Sequence, residues 1–246
     1  MKVREFLERF IFTRKCPSCS TLLSYEQRRE AFCPDCRLRW DVLKTRECKL
    51  CGRSMCECIC MTKVLSDSGA LCHHKLVAYS ASDSVVHGPI SFLKKNENER
   101  MTRFFAEQMH LMLNSDGDLP PLDEESAVVT FLPRSPKAVL KHGVDQSKEL
   151  ARALSQVSGI PFSITFERVR GGKVQKKLTA AERRKNVKKL FRPIEDIEAS
   201  VSGKVVLLVD DVVTTGASMS VCVSHLVRAR AASVICVSIA STEQNK

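Results

Sequence analysis

The sequence predicts an α/β fold: a domain built on a parallel sheet, preceded by a small cysteine-rich module. Three observations carry this. From about Leu76 onward, apolar runs of strand length alternate with stretches of helical periodicity. The run Val205–Val209 has no polar break, as expected of a strand buried on both faces. Ten of the twelve cysteines lie between Cys16 and Cys72, while Cys222 and Cys236 stand alone in apolar surroundings that read as core. The expected units are residues 1–74 and 75–246.

At 246 residues with 43% hydrophobic content, the chain is long enough for one full domain and a smaller one. Its longest apolar runs are too short to cross a bilayer. The opening MKVREFLERFIFTRKC mixes acids with apolar residues and has no small-residue cleavage site, so it does not read as a signal peptide. Phe6, Leu7, Phe10 and Ile11 recur at helical spacing and predict a short amphipathic helix docked on the body. The expected location is the cytoplasm.

In the module, CPSC and CPDC place Cys16, Cys19, Cys33 and Cys36 as two C-x-x-C turns separated by 13 residues. Each turn aims two sulfurs at one point, and two turns complete a tetrahedral zinc site. A disulfide framework is the bland alternative, and it fits poorly in a reducing compartment. In CKLCGRSMCECIC, Cys48 and Cys51 form a third such turn. Several pairs among Cys56, Cys58, Cys60, Cys72, His73 and His74 could complete a second site; the expected pair is Cys56 and Cys60. Residues 1–60 hold thirteen Lys or Arg and eight Asp or Glu, a difference of +5. Each filled four-cysteine zinc site carries about −2, so two of them nearly neutralise the module.

The elements of the larger domain follow in order. GPISFLKKNENERMTRFFAEQMHLML has Ile90, Leu93, Phe104, Phe105, Met109 and Met112 spaced for one long amphipathic helix. SAVVTFLP reads as a strand, and VDQSKELARALSQVSG as a helix closed by Gly159 with Pro161 beyond. IPFSITFERV reads as a strand, 205–209 as a strand, 217–232 as a helix and SVICVSIA as a last strand.

The chemistry concentrates in VVLLVDDVVTTGAS, residues 205–218. Asp210 and Asp211 stand at the carboxyl end of the predicted strand, where ligands bind in open α/β sheets. Thr214, Thr215, Gly216, Ala217 and Ser218 follow at the start of a helix, where free N–H groups and the helix dipole attract phosphate. Paired carboxylates beside a phosphate cradle suit one ligand with both hydroxyls and a phosphate, such as a ribose 5-phosphate. Two rivals fail. A P-loop needs G-x-x-x-x-G-K-[ST], which does not occur. A receiver domain needs several further βα units, and only 35 residues follow Asp211.

VLLVDDVVTTGAS resembles the phosphoribosyl pyrophosphate (PRPP) motif of type I phosphoribosyltransferases. The chain as a whole resembles the ComF/GntX family, in which a cysteine zinc ribbon precedes such a domain. The matching pieces are CPSC with CPDC, CxxCGR, the Gly88–Lys94 region, PRSPK, Gly143-x-x-Gln146, Arg168–Gln175 and LTAAERRKNV. The resemblance implies a type I phosphoribosyltransferase-like sheet, structural zinc, and magnesium bound with PRPP. It implies that Asp210 and Asp211 hold the ribose hydroxyls, directly or through magnesium, and that Thr214–Ser218 hold the 5-phosphate. PRSPK takes the place of the pyrophosphate loop, with Lys137 its expected cation. Asp210, Asp211 and Lys137 are thus the expected catalytic residues. The chain departs from the family's usual Gly-Phe-Asn-Gln at Val144 and Asp145, and from a usual threonine at Gly172. The acceptor is left unnamed.

The net charge is +11, and its source is local. Between Ile164 and Arg192, eleven Lys or Arg face two Glu, a difference of +9. Thr179-x-x-Glu182 is a capping box that starts a helix to about Leu190. A solvated helix face, or a loop closing over pyrophosphate, accounts for this charge as well as nucleic acid does. Arg183, Arg184, Lys188 and Lys189 are the candidate nucleic-acid contacts. The resemblance adds single-stranded DNA and DNA-uptake proteins as implied partners. It leaves two functions in competition: a phosphoribosyltransferase, or a non-catalytic DNA-handling module that keeps PRPP as a ligand.

Overall fold

The structure, a computed structural model, describes residues 14–95, 98–169 and 189–243. The expected N-terminal helix and the 179–190 capping-box helix lie outside the described residues apart from Lys189 and Leu190.

Four parallel strands form the main sheet: β1 (Cys72–Ala78), β2 (Ala127–Phe131), β5 (Val205–Val213) and β6 (Ser233–Ser241), in the order β1-β6-β5-β2. A separate antiparallel pair joins β3 (Phe166–Arg168) to β4 (Phe191–Pro193). The α-helices among the described residues are α1 (Pro34–Thr45), α2 (Lys63–Ser66), α3 (Ser84–Leu93), α4 (Glu99–Asn114), α5 (Pro136–His142), α6 (Gln146–Ser158), α7 (Ile197–Val201) and α8 (Ala217–Arg228).

The sheet is buried on both faces, and strand alternation sorts its side chains between two cores. Leu207 and Val209 of β5 join Val129, Ile235 and the helices α3, α4 and α6 on one face. Val206 and Leu208 join Val128, Cys236, Leu226 and Phe166 on the other. The cysteine module shares the first core. Trp40, fully buried on α1, packs edge-on against Phe105 of α4 with ring centroids 5.3 Å apart, and Phe32 meets Phe104 at 5.4 Å. β1 spans the boundary expected after residue 74: Cys72 and His73 already pair with Ile235 and Cys236. Among the described residues, no helix is long and apolar enough to cross a membrane.

Several element bounds differ from expectation. The single long helix is two. Asn98 is extended and its side chain accepts from Met101 N–H at 2.9 Å, so it caps α4 instead of continuing α3. The predicted strand 160–169 splits, its backbone pairing with β2 only at the Val129–Phe162 bridge before β3 forms elsewhere. Pro161 has no N–H to extend a ladder. The helix expected over 217–232 stops at Arg228, and Arg230 turns to a positive φ of 62°. β5 runs four residues past its expected end at Val209, which moves both acids inside the strand.

Candidate functional site

β2 ends at Phe131, opposite Val209, while β5 continues alongside β6 to Val213. Among the described residues, 210–213 therefore have a strand neighbour on one side only. On the other side is a cavity of about 290 Å³, lined by Leu132–Arg134, Gln146, Ser147, Arg168, Lys94 and Asp210–Met219. The loop Thr214–Gly216 and the first turn of α8 form one wall, and that turn has no side-chain cap. Ala217 N–H reaches Thr215 Oγ1 at 3.4 Å, and Thr242 Oγ1 donates to Thr214 O at 2.9 Å. Gly216 has a φ of +73°, and a Cβ there would lie 2.7 Å from Thr62 Oγ1 and 2.8 Å from Leu65 Cγ. Its missing side chain admits α2 beneath the loop.

The two acids have different surroundings. Asp210 Oδ1 accepts from Ser147 Oγ and from Asp211 N–H, both at 2.8 Å. Asp211 Oδ1 accepts from Val212 N–H at 2.7 Å, and its Oδ2 lies 3.2 Å from Lys94 Nζ. Burial and the neighbouring Asp211 push Asp210 up to about 8, against the pull of Ser147 and Lys94. Lys94 offsets the adjacent acids only in part, and a further cation or a ligand's hydroxyls would relieve the rest.

Among the described residues, three cations line the cavity: Lys94, Arg134 and Arg168. Arg134 Nη1 donates to Lys94 O at 3.1 Å and Val144 O at 3.2 Å, and its N–H reaches Asp145 Oδ2 at 2.9 Å. Asp145 also caps α6, accepting from Lys148 N–H at 3.4 Å, so the aspartate serves where the family usually has asparagine. Arg168 lies over the Phe191 ring at 4.9 Å; burial lowers its pKa, and Asp210 acts against that. Lys137, the expected cation, is exposed on α5 and does not line the cavity. Pro136 starts a helix there, and the next side chain faces solvent. Lys94, Arg134, Gln146, Ser147 and Arg168 went unassigned in the sequence, although four of the five belong to quoted family segments. Of the candidate nucleic-acid contacts, Lys189 is exposed, and Arg183, Arg184 and Lys188 lie outside the described residues.

Both four-cysteine groups assemble, and all twelve cysteines are free thiols. Cys16, Cys19, Cys33 and Cys36 have their sulfurs within 4.8 Å of one another. The Cys19–Cys33 sulfur separation of 3.6 Å approaches the ~3.8 Å edge of a tetrahedron with 2.3 Å zinc–sulfur bonds. The second group is Cys48, Cys51, Cys58 and Cys60, with Cys51 and Cys58 sulfurs 3.6 Å apart. Cys58 thus replaces the expected Cys56. Met55–Glu57 form a turn, closed by Glu57 N–H to Ser54 O at 3.0 Å. That turn carries Cys56 out of the group, to 3.6 Å from Ser54 Oγ. His73 and His74 belong to β1, bonded to Ser238 Oγ at 2.9 Å and facing Asp116 Oδ2 at 3.3 Å. Within each group one thiol is easily ionised while others resist. Cys19 falls to about 6 through hydrogen bonds from Thr21, and burial lifts Cys33 and Cys36. Burial also lifts Cys60 to about 12, whereas backbone N–H groups bring Cys48 down to about 7 despite burial. Four thiolates this close need a dication, and two four-sulfur sets fit zinc.

Residues 138–246 match the phosphoribosyl transferase domain family. The chain is 27% identical to the DNA utilization protein YhgH of Salmonella typhi over 217 residues, covering 88% of this chain and 86% of that one. It is 37% identical to YhgH of Salmonella typhimurium over 95 residues, or 38% and 40% of the two chains. Among solved structures, the allosteric regulatory enzyme of purine biosynthesis matches at 22% identity and a TM-score of 0.36. That match covers 55% of this chain and a quarter (25%) of that one. The hypoxanthine-guanine phosphoribosyl transferase of L. donovani matches at 15% identity and a TM-score of 0.36, covering 58% and 73%. Residues 138–246 thus carry a phosphoribosyl transferase domain, and the chain is similar to YhgH over most of both chains.

Proposed function

We propose that the cavity binds PRPP with a divalent cation and supports displacement of its pyrophosphate by an acceptor. One observation carries the reading: among the described residues, adjacent acids, a helix start without a side-chain cap and three cations open onto one cavity. Asp210 and Asp211 are hard oxygen donors suited to magnesium, which would add positive charge beside the ligand's phosphates. The carboxylates accept hydrogen bonds from the ribose 2- and 3-hydroxyls, and Thr214–Ser218 hold the 5-phosphate. Lys94, Arg134 and Arg168 are placed to offset the pyrophosphate. As the bond from C1 to pyrophosphate breaks, negative charge grows on the leaving oxygen and positive charge on the ribose. Cations on one side and carboxylates on the other stabilise both.

Calorimetric titration with PRPP, with and without magnesium, tests binding. In magnesium buffer, where the cation would displace the proton that burial keeps on Asp210, Asp210→Asn and Asp211→Asn should each weaken binding about ten- to a hundredfold, since hydrogen bonds to a charged group contribute roughly 1.5–3 kcal/mol. Equal binding by parent and variants would remove the ribose-phosphate reading. Magnesium-dependent pyrophosphate release with candidate acceptors separates an enzyme from a protein that keeps PRPP only as a ligand.

A DNA-handling role is favoured by the relatives' name together with the +9 segment Ile164–Arg192. Affinity for single-stranded DNA should then fall steeply with salt, and changing Arg183, Arg184, Lys188 and Lys189 to Ala should flatten the slope. An unchanged slope would place any such surface elsewhere.

A further inference from the structure

Lys75, in the middle of edge strand β1, is 4% exposed and is the only buried lysine or arginine among the described residues. Its Nζ donates to Cys58 O at 3.0 Å, Cys60 O at 2.6 Å and His73 O at 3.4 Å. Three donated hydrogen bonds are the full capacity of an ammonium, so the group sits there as a cation. Among the described residues no carboxylate pairs with it. Glu243 lines the same small cavity but faces Lys49 at 2.7 Å and Arg46 at 3.6 Å. A buried charge without a counter-charge is strongly unfavourable. Two of the three carbonyls belong to cysteines of the second four-sulfur group, and that group filled with zinc carries about −2.

We propose that Lys75 is the charge partner of the negatively charged zinc–thiolate group formed by Cys48, Cys51, Cys58 and Cys60, and that it couples metal at this site to the edge of the main sheet. The proposal rests on the zinc reading of that group. The two charges need each other. The metal-thiolate group supplies the anion that makes a buried ammonium tolerable, and the ammonium offsets the charge that four thiolates leave over. The first group, around Cys16 and Cys36, has no such partner among the described residues and packs into the aromatic core instead.

The test uses the full chain and the substitution Lys75→Met, which keeps length and removes charge. Zinc competition with a chelating dye should show the second ion held 10–100-fold more weakly, as for loss of an outer-shell partner, with the first unchanged. The Cys33→Ser/Cys36→Ser background identifies which ion has moved. Unfolding temperature supplies a reading that a merely structural lysine would not produce. Lys75→Met should lower it when the thiols are intact, and leave it unchanged or raise it in a Cys48→Ser/Cys51→Ser background. A variant that folds only in the thiol-deficient background shows the same reversal. A shift of the same direction in both backgrounds, or failure to fold in both, overturns the proposal. Metal analysis of the parent distinguishes the two failures. A parent without the second zinc removes the zinc reading and this proposal together, whereas two zincs held equally by parent and variant remove the proposal alone.

Discussion

Lys94 Nζ stands 3.2 Å from Asp211 Oδ2, so a residue just past α3, outside the matched domain in sequence, reaches into the cavity beside β5. Without a ligand this ion pair partly neutralises the two acids. In the PRPP reading the ammonium moves its attraction to the incoming phosphates. Lys94→Ala should therefore weaken PRPP and free pyrophosphate by about tenfold, the lower end of the range for a charged hydrogen bond because the lysine is partly exposed. Lys137→Ala, on the exposed face of α5, should change neither. Calorimetry on both variants decides; equal losses would return Lys137 to the site.

The same pair shows what the sequence could and could not tell. The stretch 205–218 stands out because an apolar run followed by two acids, two threonines and a glycine has few uses, although the sequence predicts that the strand stops at Val209. The contents of the opposite wall do not. Lys94, Arg134, Ser147 and Arg168 come from four separate segments, and only the place where β2 stops relative to β5 brings them to one cavity. Lys137 and Arg134 are both cations of PRSPK; the helix start at Pro136 decides which of them faces inward. Cys56 and Cys58 share the same every-second-residue spacing, and the turn at Met55–Glu57 separates them. Sequence patterns marked the candidate residue types; chain turns chose which of them share a cavity.

Asp210 makes stability depend on pH. Its folded-state value of about 8 lies well above the usual carboxylate range near 4, chiefly through burial. Between those values the folded protein holds a proton that the unfolded chain has released, so this group's contribution to stability falls as pH rises from about 4 to about 8. Asp210→Asn cannot ionise and should not show that loss. In metal-free buffer, the difference in unfolding free energy between variant and parent should grow in the variant's favour across this window. A constant difference would mean that Asp210 is ionised throughout.

The cysteine assignments separate cleanly. Cys33→Ser/Cys36→Ser should remove one zinc per chain and Cys58→Ser the other, while Cys56→Ser should keep both. Metal analysis of purified protein reads this directly. Loss of zinc from Cys56→Ser, with retention in Cys58→Ser, would restore the spacing-based pair and break the geometric one.

Gly88 tests whether the cysteine module and the site are one rigid unit. It lies in α3, and a Cβ there would sit 2.5 Å from Pro17 O and 3.0 Å from Ser18 Cα, both backbone atoms of the Cys16–Cys19 turn. That turn is pinned by Ser20 N–H to Cys16 O at 2.9 Å, and a bound zinc would stiffen it further. Backbone held in this way cannot swing aside as a flexible side chain could. Gly88→Ala gains about 1 kcal/mol of helix propensity but meets an overpacking cost of roughly 1–3 kcal/mol, here at the upper end because the contact is so short. The net expectation is a loss of about 1–2 kcal/mol, lowering the unfolding temperature by a few degrees in a chain of this length. Since α3 leads to Lys94, the variant should also bind PRPP more weakly although residue 88 does not line the cavity. A variant that melts at or above the parent would show that α3 and the metal turn can part without cost, and that the module does not position the site.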